Sequence, residues 1–237
     1  MKCSRLVSLP LIFFTQIATA TEWTLQGEKS LDFKVFLDDR EVGRHQFELL
    51  GQGESVQVSS AMSLDFKVLL VKQVTYVHQA NEVWESGCLV SVQSETEKLG
   101  KRSVVDARME KSGLQVGRDL EGKLEQETIG GCVRGFAYWN PHWLQPAEPG
   151  NTSLLNAETG INIPVVVSSR VSEPDKITHM QIVLPKGQID LQYDAAGEWL
   201  SLKTKLRIGG TLRYQRVFDQ VDKLPERAEQ DDYQARQ

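Results

Sequence analysis

The chain has 237 residues, 40% of them hydrophobic and 25% charged, with 27 Lys and Arg against 32 Asp and Glu for a formal net charge of −5. A chain of this length buries a core of ordinary size without staples. Its acidic balance, with no clustered cations, argues against nucleic acid as a partner and against electrostatic docking on anionic lipid.

Lys2 and Arg5 open the sequence, Leu6 to Phe14 form an apolar run, and Ala18-Thr19-Ala20 closes the segment. This is the three-part layout of a secretory signal peptide, with small residues where a peptidase must accommodate them. The apolar run is shorter than the roughly 20 residues a bilayer-spanning helix needs. Residues 1–20 are therefore read as a signal cleaved after Ala20, and the mature chain as a periplasmic or secreted protein. Cys3 precedes the apolar run, whereas a lipid-modified cysteine would follow it. Losing Lys2 and Arg5 leaves 25 basic against 32 acidic residues, a net charge of −7. No later stretch has transmembrane length, because Lys72 ends the most apolar one, Val68 to Val71.

From Leu31 onward, short runs alternate apolar and polar residues between turn signals, the period-two signature of half-buried strands. Phe33, Val35 and Leu37 share a face, Asp38-Asp39-Arg40 reads as a turn, and Val42, Phe47 and Leu49 follow, which predicts an opening hairpin. Val56 and Val58, Leu64 to Leu70, and Val74, Tyr76 and His78 continue the alternation. Further strands are expected at Val83-Trp84, Cys88 to Val92, Val104-Val105, Leu114 to Val116 and Leu120 to Leu124. A last group is expected at Val165 to Val167, His179 to Leu184, Ile189 to Tyr193, Trp199 to Leu202 and Leu212 to Val217. Recurrence every 8 to 12 residues favours a meander over alternating strands and helices. Helical candidates are short: Ala137 to Leu144, limited by Pro141, and the polar stretch from Asp219. The reading is one β domain over residues 21–218 followed by a polar, flexible tail over 219–237.

Once Cys3 leaves with the signal, Cys88 and Cys132 remain, an even pair in an oxidising compartment, and a disulfide between them is the leading reading. Two unpaired cysteines buried as small apolar residues are the alternative. Neither has a second cysteine or a histidine at metal-ligand spacing.

Four segments carry a resemblance: Phe36-Leu37-Asp38-Asp39-Arg40-Glu41-Val42-Gly43-Arg44-His45, Trp84-Glu85-Ser86-Gly87-Cys88-Leu89, Phe136-Ala137-Tyr138-Trp139-Asn140-Pro141 and Leu154-Leu155-Asn156-Ala157-Glu158-Thr159-Gly160. In this order they resemble the exported bacterial domain-of-unknown-function family 6134, over about Leu31 to Tyr214. The resemblance implies a bacterial, periplasmic, all-β protein and carries no activity. A looser similarity to envelope proteins with curved antiparallel sheets implies a single curved sheet or a lipocalin-like open barrel with few short helices; fold by itself names no function.

The richest cluster for chemistry is Phe136-Ala137-Tyr138-Trp139-Asn140-Pro141-His142-Trp143, beside Cys132. Phe136, Tyr138, Trp139, His142 and Trp143 are the candidate ligand contacts, able to line the mouth of an apolar cavity or stack on a sugar ring. The structural alternative is a plug closing one end of the β core. His45, His78, His142 and His179 show no metal spacing, although His45 and His78 can approach across strands near Glu82. No nucleophile elbow, phosphate loop or dinucleotide fingerprint occurs, so neither a cofactor nor a metal is expected. Asp190 and Glu198 flank a turn and leave a two-carboxylate hydrolase open. Asn156 to Gly160 reads as a hairpin connection. The favoured function is a non-catalytic envelope module binding or carrying a lipid or other amphipathic small molecule. The alternatives are an envelope hydrolase using histidine and carboxylate, and a structural interaction protein.

Overall fold

The structure is a computed structural model that describes residues 25–68, 72–145, 151–207 and 209–218. Residues 1–20, read from the sequence as a signal, and residues 219–237, read as a tail, lie outside the described residues, as does Leu70.

Among the described residues, fifteen strands form one sheet. In chain order they are β1 (Gly27–Leu37), β2 (Arg40–Gln52), β3 (Ser55–Val68), β4 (Lys72–Glu85), β5 (Cys88–Lys98), β6 (Lys101–Glu110), β7 (Gly113–Leu120) and β8 (Lys123–Ile129). After the two-residue β9 (Arg134–Gly135) and the single-turn α1 (Pro141–Leu144) come β10 (Asn151–Asn156), β11 (Ile161–Ser172), β12 (Ile177–Leu184), β13 (Gly187–Tyr193), β14 (Trp199–Lys205) and β15 (Thr211–Val217). The spatial order runs β8 down to β1, then β15 down to β9. Two meanders thus meet where the first strand pairs antiparallel with the last, Val35 opposite Tyr214. The all-β reading holds, as a single curved sheet whose terminal strands β8 and β9 do not pair with each other.

Alternation sets the inward face. Leu31, Phe33 and Val35 of β1 are buried and their neighbours are not. In β2 a strict two-residue period would point Val42 and Phe47 to opposite faces. A bulge resolves this: Val35 pairs with Gly43 and Phe36 with Glu41, so Val42 is the extra residue and the phase resets. Both side chains are then buried. Gly43 is required beside the bulge, since a Cβ there would stand 1.9 Å from the Ser63 carbonyl oxygen of β3.

Several strands are longer than the sequence pattern suggested. Val74 to Trp84 belong to one strand, β4, whose inward side chains run Val74, Tyr76, His78, Ala80, Glu82 and Trp84. The strand expected at Leu120 to Leu124 is instead the β7–β8 turn, at Glu121-Gly122. Ser86-Gly87, Leu99-Gly100 and Glu121-Gly122 all have positive φ at both residues, the two-residue hairpin geometry whose twist matches that of the strands it joins. Pro164 sits inside β11, where it pairs only with Ser153 of β10; pairing with β12 begins at Val166. A residue without an amide hydrogen is tolerated there because nothing needs its donation. Pro141 starts α1 rather than stopping it, with Asn140 as the cap whose side chain accepts from the His142 and Trp143 amides.

The core is centred on Trp199. Its ring centroid lies 4.1 Å from that of Phe33 and 5.5 Å from those of Phe47 and Tyr138. The free end of the second meander is tied back onto the first in three ways. The Leu89 amide of β5 donates to the Val133 carbonyl at 2.8 Å. Cys88 and Cys132 are disulfide-bonded, with their Cα atoms 5.1 Å apart. The β10–β11 turn packs on the inner face of β5 to β7: Ser94 donates to the Ala157 carbonyl, and Arg118 donates to the Gly160 carbonyl at 3.0 Å.

Candidate functional site

The aromatic run forms a wall at the disulfide end. Trp139 is 4% exposed, Phe136, Tyr138 and Trp143 are half-buried, and His142 is exposed. Trp143 stacks on Trp84 of β4 at 5.6 Å, and Trp139 meets both edge-on at 5.9 and 5.1 Å. Gly87 makes the seat for Trp143, because a Cβ there would stand 3.2 Å from the indole. Tyr138 leaves this group and reaches Trp199, while its carbonyl accepts from the Tyr193 hydroxyl at 2.9 Å. Phe136, Tyr138, Trp139 and Trp143 therefore pack against the core, Tyr138 reaching Trp199, whereas His142 is exposed.

Polar groups are concentrated in the interior on β2, β4, β5, β15 and the β10–β11 turn. Register places His45, Met62, His78 and Thr96 in one inward row across β2 to β5. With strands about 4.8 Å apart, the two histidines stand about 10 Å apart with Met62 between them. Glu82 shares their face but lies four residues farther along β4, about 13 Å from His78, where it accepts from the Trp84 indole at 2.8 Å. Burial raises the Glu82 carboxyl to about 7, partly offset by that bond.

His45 is 8% exposed, and its Nδ1 lies 3.2 Å from the Tyr214 hydroxyl. That hydroxyl donates to Met62 Sδ at 3.3 Å. The Tyr214 hydroxyl thus stands between Met62 Sδ and His45 Nδ1, and the donor and acceptor roles of the two ring nitrogens are set by the tautomer of the imidazole. His45 Nε2 is buried with no hydrogen-bond partner. Burial, and then the neighbouring His78, lower the His45 pKa to about 3, so the imidazole is neutral at ordinary pH. His78 is held to about 4 by burial, with its Nδ1 2.8 Å from Thr96 Oγ1.

Glu158 completes the group. It sits at the tip of the β10–β11 turn, which the Asn156 side chain pins by accepting from the Thr159 amide at 3.0 Å. The turn crosses the interior, and its carboxyl acts on three phenols. Tyr76, Tyr138 and Tyr214 are raised first by burial, then by Glu158 in the first two and by Tyr138 and Glu158 in the third. In the sequence Asn156 to Gly160 reads only as a hairpin connection. The available signal was an acidic residue in a turn between two apolar strands, which does not say what the turn faces.

Other candidates do not converge. Asp190 accepts from Gln181 and Gln188 on the outer face of β13, while Glu198 pairs with Lys29. His179 is half-buried on the outer face of β12. Among the described residues no group of three or more His, Cys, Asp or Glu is placed to hold a metal ion. No described helix is long and apolar enough to cross a membrane.

Comparison with known proteins bears on fold and family. The crystal structure of a β-barrel-like protein of the domain of unknown function DUF1849 from Brucella abortus is similar, with a TM-score of 0.57 at 12% identity over 82% of this chain and 98% of that one. At that identity the likeness is one of fold. No curated protein matches the chain. The model described as Domain of unknown function (DUF6134) matches residues 33–217, from the first core phenylalanine to the end of β15, and the chain belongs to that family.

Proposed function

We propose that the protein is an exported, non-catalytic binding or carrier module of the bacterial cell envelope, which holds a lipid or other amphipathic ligand by a hydrogen-bond-donating head. One observation carries this reading: polar groups stand inside an apolar wall, the His45 Nε2 with no hydrogen-bond partner and the Glu158 carboxyl, with Tyr76, Tyr138 and Tyr214 around them. A buried ring nitrogen without a partner costs about 1–3 kcal/mol, which a hydroxyl entering the interior recovers, since it both donates and accepts. The apolar body of such a ligand would lie against the aromatic interior. In this reading Tyr138 touches the ligand, and Phe136, Trp139, His142 and Trp143 wall the disulfide end. Export is supported by residues 1–20, and a carrier role by a sheet that encloses its inner face.

The test uses protein secreted under its own leader, purified without detergent and examined by native mass spectrometry. A copurifying small mass that is lost from Glu158→Leu or Tyr76→Phe protein with an unchanged melting temperature supports the reading. Bare protein in every case, with no saturable uptake of a fluorescent monoacyl amine, overturns it.

A further inference from the structure

The outer face of β11 to β15 has a groove of about 670 Å³, within the roughly 300–1,000 Å³ typical of small-molecule sites. Its floor is the backbone around Met180, Leu191 and Leu202, whose side chains point into the core, and its walls are the outward residues of five strands. Register aligns two of its rows: Arg170, His179, Gln192 and Ser201, then Gln181, Asp190, Lys203 and Arg213.

The charge of this face differs from that of the molecule. Arg170, Lys203 and Arg213 stand against the single carboxylate of Asp190, so the groove is cationic in a chain whose formal net charge is −5. Several other surface cations are paired: Arg44 with Asp32, Lys34 with Glu41, Lys101 with Glu121 and Arg102 with Glu95. Arg170 and Lys203 have no ion pair or side-chain hydrogen bond among the described residues. Lys203 lies directly across from Asp190, yet that carboxylate accepts from Gln181 and Gln188 instead. The surface therefore holds two uncompensated cations beside amides and a hydroxyl.

We propose that this groove binds an acidic saccharide, with Arg170 and Lys203 taking its anionic groups and Asp190, Gln192 and Ser201 its hydroxyls. Charge complementarity selects the anion. A carboxylate set among amide and hydroxyl side chains matches neighbouring sugar hydroxyls, which both donate and accept. The lining contains no Phe, Tyr or Trp, so a neutral sugar gains no stacking surface and a nucleic-acid base finds no platform. An acidic peptide joining as a strand needs an unpaired edge; β12 to β15 offer none, and among the described residues only positions 167–172 of β11, at the rim of the groove, pair on one side alone, so hexaglutamate is the competing probe. This site lies on the opposite face of the sheet from the His45 and Glu158 group and stands independently of it.

Isothermal titration at low salt with the full chain tests the proposal. The probes are trigalacturonate, a phosphorylated maltotriose, neutral maltotriose and hexaglutamate, and the variants are Arg170→Gln with Lys203→Gln together, Lys203→Arg, and Lys101→Gln as a surface control. The expected result is saturable binding of one or both acidic sugars that weakens with salt, the stronger of the two identifying uronate or phosphate as the anion. The double variant should lose about tenfold or more, the size of one charge-assisted bond, while Lys203→Arg and Lys101→Gln keep it. Equal binding of maltotriose or hexaglutamate, an equal loss in Lys101→Gln, or no binding of either acidic sugar overturns the proposal.

Discussion

At Gly87 the consequences of one missing side chain can be followed through the disulfide end of the molecule. Its φ of +78° belongs to the β4–β5 turn, and the space above it is filled by the Trp143 ring, which in turn stacks on Trp84. Gly87→Ala sets a left-handed strain and a steric contact at the same atom, so both the turn and the indole must shift. The expected cost is about 1–3 kcal/mol, read as a lower urea midpoint with a change in tryptophan fluorescence, since Trp84, Trp139 and Trp143 share one cluster. His45 is a different case. Its Nδ1 shares the Tyr214 hydroxyl with Met62 Sδ, and its Nε2 is buried without a hydrogen-bond partner.

Between elements, the sheet is held in its curved shape by contacts that bypass the strand ladder. Arg118 of β7 donates to Glu125 and Glu127 of β8 at 2.9 Å each and to the Gly160 carbonyl at 3.0 Å. With its side chain 13% exposed, it clasps an edge hairpin to the turn that carries Glu158. Arg118→Gln is expected to cost about 1–3 kcal/mol in urea unfolding and to speed amide exchange at residues 123–129 and 157–160 while leaving β1 and β15 protected. The disulfide acts on the same closure from the other side. Removing it with Cys88→Ser and Cys132→Ser frees a loop with a sequence separation of 44, a loss of about 4 kcal/mol in the chain-entropy model. At this chain length that is a drop of roughly 8–16 °C in melting temperature, and a melting curve unchanged by the substitutions or by reductant would remove the disulfide from the account of stability.

For the whole molecule, the buried ionisable groups set how stability responds to acid. Unfolded histidines protonate near 6.5, whereas native His45 and His78 stay neutral down to about 3 and about 4. Below pH 6.5 the unfolded chain therefore binds more protons, and stability falls as pH falls. Glu82 acts in the opposite sense: its native carboxyl keeps its proton to about 7, whereas the unfolded one releases it near 4.5. Between pH 4.5 and 6.5 two histidines oppose one carboxyl. The net is about one proton, or roughly 1.4 kcal/mol of stability lost per pH unit of acidification. Below 4.5 the carboxyl no longer offsets them, so the slope steepens towards about two protons before His78 itself titrates. Urea unfolding at a series of pH values checks this, and His78→Gln should flatten the curve between 4.5 and 6.5; a flat wild-type curve there would contradict the burial of both imidazoles.

Much of the architecture was legible in the sequence because a strand's pattern is local. Phe33 with Val35, or Ile189 with Leu191, show their faces by alternation alone, and with residues 1–20 read as a leader the two remaining cysteines suggest their own pairing. The short turns were legible where glycine marked them. Strand length was less so: a polar stretch such as His78 to Glu82 looks like an interruption until both neighbours pair with it. Only the tertiary structure decided that the β10–β11 turn crosses the interior to set Glu158 among Tyr76, Tyr138 and Tyr214, and that Arg170, Lys203 and Arg213 share a groove. The physical reason is register. Alternation says which side of its own strand a residue faces, but which distant residue stands beside it depends on bulges, pairing offsets and the curl of the whole sheet.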